Sequence, residues 1–95
     1  MKFMLTFKMK PDTKQQSEAF ARFLNAAGKA PAGAKLLGRW TKLDFSGGFV
    51  LLESETPKPL LDFSLWWSDL MELSLVPVVE DQELADAVLD KYVMP

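Results

Sequence analysis

Apolar and polar residues alternate from Met1 to Lys10, with Phe3, Leu5, Phe7 and Met9 on one side and Lys2, Met4, Thr6 and Lys8 on the other. A period of two predicts a strand. Pro11 stops it, and Thr13 with Gln16 stands at capping-box spacing to open a helix. Phe20, Phe23, Leu24 and Ala27 then recur at the three-and-four spacing of one buried stripe, while Lys14, Gln15, Glu18 and Arg22 point elsewhere. Gly28 suits the position just past that helix's end. Pro31 and Gly33 mark a turn. Residues 34–41 and 48–54, rich in Leu, Val and aromatics, predict two strands joined as a hairpin by "KLDFSG". Thr56 as cap and Pro57 at the first helical position predict a second helix running to about Asp69. Leu60, Phe63, Trp67 and Leu70 share its apolar face, and Trp66 lies at that face's edge. Residues 73–79 predict a last strand, which Pro77 assigns to a sheet edge or a bulge. From Asp81 a third helix carries Leu84, Ala85, Val88, Leu89 and Tyr92 on one side.

The order βαββαβ with an added C-terminal helix predicts an α+β, ferredoxin-like antiparallel sheet whose right-handed crossovers put both helices on one face. The chain of 95 residues suits one domain over 1–95. The other sheet face is not cleanly polar. Apolar residues on both sides of the strands predict cover on both sides, and a second copy of the chain, packed as a homodimer through the sheet face, is the simplest source of it.

Composition narrows the chemistry. There is no cysteine and no histidine, which removes disulfides, thiolate nucleophiles, His/Cys zinc sites, Ser-His-Asp systems and haem held by a proximal histidine. No cofactor and no metal are expected. Net charge is +7 over 1–42 and −9 over 43–95, a split that a fold interleaving the two halves neutralises locally. No dense Lys/Arg run suggests nucleic acid, and no apolar stretch approaches the about 18 residues of a membrane helix. A cytoplasmic protein is the default expectation.

The opening "MKFMLTFK", the central "GAKLLGRWTKLDFSGGFVLLES" and the following "LLDFSLWWSDLMELSLVPVVEDQEL" resemble DUF3303, a domain of unknown function found in small bacterial proteins. The resemblance implies the dimeric α/β-barrel superfamily, in which two ferredoxin-like sheets pack face to face. It implies no established activity. Broader relatives of that superfamily include cofactor-free monooxygenases, haem-degrading enzymes and isomerases, and the missing histidine argues against the haem branch.

Four residues are candidates for a site. Arg39 reads either as a strand arginine paired with an acid such as Glu53 or as an anchor for an anion, since a guanidinium fork suits carboxylate or phosphate. Trp40 and Trp67 read either as core and interface packing or as walls for a flat organic molecule. Tyr92 either packs or donates a hydrogen bond into a cavity. Neighbours on a strand point to opposite faces, so Arg39 and Trp40 divide between them unless a bulge at Gly38 rotates one. Ser68 and Asp69 read as helix-end residues, and Glu80, Asp81 and Glu83 as a first-turn acidic cluster. Two functions follow as expectations: a homodimeric barrel binding a small organic or anionic ligand between sheet and helices, or a cofactor-independent monooxygenase or isomerase-like enzyme on a small aromatic or lipophilic substrate.

Overall fold

A computed structural model describes residues 1–10, 12–25 and 30–93. Strands β1 (Lys2–Met9), β2 (Lys35–Thr41), β3 (Gly47–Glu53) and β4 (Met71–Val78) alternate with helices α1 (Thr13–Asn25) and α2 (Lys58–Trp67); α3 (Asp81–Val88) follows and continues as a π-helical turn over Leu89–Val93. The strands form one antiparallel sheet in the order β2-β3-β1-β4. This is the expected ferredoxin-like topology with its C-terminal helix, and Pro77 lies in an edge strand as predicted.

Register decides which side chains meet. Leu5 stands opposite Val50 on one side and Leu75 on the other, and Phe3 opposite Leu52 and Pro77. These side chains face the helices. Phe3, Leu5, Val50, Leu52 and Leu60 close into one buried cluster, in which Leu60 of α2 is wholly buried. Each such fully buried aliphatic side chain contributes about 1.5–3 kcal/mol of hydrophobic stabilisation. A second cluster joins Met9, Ala19, Trp67 and Leu70.

The expected barrel is corrected by the sheet itself. It is open, with β2 and β4 as its two edges, whereas a barrel requires its end strands to pair. The homodimeric α/β-barrel is therefore not supported, nor is the homodimer inferred from it. The outer face also needs less cover than its sequence suggests. Its apolar residues, among them Met4, Phe49 and Leu51, are interspersed with Lys2, Thr6, Lys8, Glu53, Glu72 and Ser74, and the Trp40 indole folds over Gly38, where a Cβ would collide with the ring.

Smaller differences have local causes. The first turn of α1 is held by Asp12, whose carboxylate accepts from the Lys14 N–H at 2.8 Å, while Gln16 reaches back to the Lys10 carbonyl at 3.2 Å. Ala19 is buried in α1, and Leu24, placed in the stripe by periodicity, is exposed. Ala27 and Gly28 lie outside the described residues. Thr56 does not cap α2. Pro57 takes the cap position with no side-chain hydrogen bond, and the Thr56 carbonyl accepts from the Ser54 hydroxyl at 2.7 Å. Helix α2 ends at Trp67, where the Ser68 hydroxyl bonds the Leu65 carbonyl at 2.8 Å. The expected buried side of α3 is exposed: every residue from Asp81 to Tyr92 faces solvent.

Candidate functional site

Beside the closed leucine-rich cluster, the layer between sheet and helices is hollow. A cavity of about 250 Å³ lies there. Its floor is the inward side of the sheet (Leu5, Phe7, Met9, Val50, Met71 and Leu73), α1 supplies Ala19, Phe20 and Phe23, and α2 supplies Phe63, Trp66 and Trp67. Arg39, Thr41 and Phe45 complete it from β2 and the hairpin loop. The cavity arises because this end is walled by rings, which do not interdigitate with the sheet as Leu60 does at the other end.

A bulge settles the placing of Arg39 and Trp40. Leu36 pairs with Leu52 and Gly38 with Leu51, leaving Leu37 as an extra residue. Beyond it the alternation is inverted: Arg39 pairs with inward Val50, and Trp40 with outward Phe49. Arg39 thus joins the cavity wall on the same side as Leu36. Its guanidinium lies 5.1 Å from the Phe23 ring centre, within cation–π range. Desolvation in this wall holds its pKa below the ordinary arginine value, though a guanidinium stays protonated at working pH. Glu53, the acid suggested as its partner, stands opposite Lys35 and Lys2 on the outer face of the sheet.

Phe45 roofs the cavity. Its ring meets Phe20 edge-on at 6.1 Å, and its backbone adopts φ 61°, a left-handed conformation uncommon for an aromatic residue. The loop is braced around it. The Asp44 carboxylate accepts from the Ser46 N–H at 3.0 Å and its hydroxyl at 2.6 Å, and the Ser46 carbonyl accepts from Met9 N–H at 2.8 Å. Those Ser46 bonds hold the Asp44 carboxyl below its usual range.

A clamp ties α1 to the end of α2 near the cavity. Arg22 donates two parallel bonds to the Asp69 carboxylate, at 2.9 and 3.0 Å, and a third to the Trp66 carbonyl at 2.8 Å. Its guanidinium lies 5.3 Å from the Trp66 ring centre and 5.5 Å from that of Trp67. The Asp69 carboxyl is accordingly lowered and the Arg22 pKa raised, each chiefly by their shared hydrogen bonds. Trp67 is buried, and its Nε1 has no hydrogen-bond partner among the described residues.

Of the four candidates, the structure brings Arg39 and Trp67 together and separates the others from them. Trp40 lies on the outer face, 55% exposed, and Tyr92 lies beyond α3, 73% exposed. Sequence reasoning missed Phe45, whose signal was an aromatic side chain inside the hairpin loop "KLDFSG". It also missed the Arg22–Asp69 clamp, which joins residues 47 positions apart and leaves no local pattern. Among the described residues no group of three or more acidic side chains gathers to hold a metal, and no helix is long and apolar enough to cross a membrane.

A family model, "Domain of unknown function (DUF3303)", matches residues 1–92. The chain belongs to the DUF3303 family. No curated protein matches it. Membership carries a family description without an activity, so neither the barrel ligand-binder nor the monooxygenase or isomerase expected from broader relatives is supported; what is evident is a small α+β domain of unknown function.

Proposed function

We propose that this DUF3303 domain is a small-molecule binding module that holds a compact, mainly apolar molecule, with a cytoplasmic location as part of the same reading. The observation that carries it is the aromatic-walled cavity beneath Phe45. A hollow of about 150 Å³ is enough for benzene, and 250 Å³ suits a two-ring or short-chain compound. A well-packed interior leaves few voids of this size. Apolar walls with a small number of polar groups are the usual composition of a ligand pocket.

Calorimetric titration with 2-naphthol, a neutral two-ring probe, tests the reading. Saturable binding of one probe per chain is expected. Absence of saturable heat with the unaltered protein would sink the proposal. Fractionation of the host cell checks the location, and recovery of the protein with the membrane or outside the cell would contradict it.

A further inference from the structure

The cavity's polar groups are unequal in kind. Arg39 brings a cationic fork of donors to the wall. Thr41 brings a hydroxyl that serves either way. Among the described residues, no aspartate, glutamate, asparagine or glutamine side chain lines the site. The wall therefore offers donors and positive charge with little to receive a proton or neutralise a cation. Arg39 is half-buried in this apolar wall, so a ligand that supplies an anionic acceptor gains where a purely apolar one does not.

Resting on the binding-module reading above, we infer that the ligand is a small aromatic carboxylate, its rings among Phe7, Phe20, Phe23 and Phe63 and its acceptor oxygens directed to Arg39. A guanidinium has five N–H donors in a planar fork, so an acceptor it already engages does not exhaust it. The cation–π contact with Phe23 orients that fork along the wall. Amines of the same shape are rejected by charge against Arg39.

Three probes of one shape decide the matter by calorimetry: 2-naphthoate, neutral 2-naphthol and cationic 2-naphthylmethylamine, each with the unaltered protein and with Arg39→Gln. We expect naphthoate to bind about tenfold or more tightly than naphthol, the worth of one charge-assisted contact, and the amine not to bind. In Arg39→Gln the preference for naphthoate over naphthol disappears. Equal affinity for naphthoate and naphthol in the unaltered protein overturns the carboxylate inference and leaves the binding module standing. Failure of every probe to bind overturns both. The comparison within the unaltered protein decides the inference even if the variant folds poorly.

Discussion

The two ends of the layer between sheet and helices are built from the same strands and behave as different materials. At one end α2 sets Leu60 against Phe3, Leu5, Val50 and Leu52 with no exposed surface on Leu60. At the other, α1 sets Phe20 and Phe23 over Phe7 and Met71 and leaves them standing around a void. Phe20 and Phe23 remain about 40% exposed, at 41% and 39%. Flexible, branched aliphatic side chains fill the pleats of a sheet; broad rigid rings bridge them. Strands β1 and β3 are thus shared between a region that holds the fold and a region free to hold something else.

The largest effect expected from this contrast is on stability. Leu60→Ala removes the centre of the closed end and should cost about 2–5 kcal/mol, read from urea denaturation. Phe23→Ala, an equally drastic truncation at the hollow end, should cost clearly less, because that side chain is only partly buried. Equal losses would break the distinction between the two ends.

Next comes the roof. Phe45→Ala removes the ring over the cavity and the edge-on contact with Phe20, and should weaken 2-naphthol binding about three- to tenfold with little change in the denaturation midpoint, since the side chain is largely exposed. An unchanged affinity would show that Phe45 does not close the site.

The clamp gives a smaller, pH-dependent effect. Asp69 is depressed in the folded state below its ordinary value of 3.8, so its contribution is fully present above that value and is lost as pH falls through the folded one. Melting temperature of the unaltered protein should therefore decline more steeply than that of Asp69→Asn as pH drops below about 4. Parallel curves would remove the clamp from the account. Smallest of all is α3: Leu84→Ala, on an exposed helix, should alter stability by no more than about 0.5 kcal/mol.

Much of the architecture was legible because it is local. The alternation along β1, the stop at Pro11 and the Pro57 start of α2 each depend on a few adjacent residues, and Pro77 correctly marked an edge. The errors arose where a pattern had to be assigned a neighbour. The stripe Leu84–Val88–Leu89–Tyr92 is amphipathic, yet periodicity does not say what, if anything, covers it. Apolar residues on the outer sheet face suggested a partner, while the shielding of Gly38 by Trp40 and the scatter of charged residues are visible only with register in hand. The site was legible by half for the same reason. Arg39 was recognised as a candidate and Gly38 as a possible bulge, but only the register shows that Leu37 is the extra residue and which face Arg39 joins. A void leaves no residue to read.

The most direct measurement is an NMR titration of methyl-labelled methionines with 2-naphthoate. Met9 and Met71 line the cavity, whereas Met4 lies on the opposite face of the sheet. Binding in the hollow predicts saturable shifts of the Met9 and Met71 methyls and of the Trp67 indole N–H, with Met4 unmoved. Shifts at Met4 with Met9 and Met71 unmoved, or no saturable shift at any of them, would contradict it.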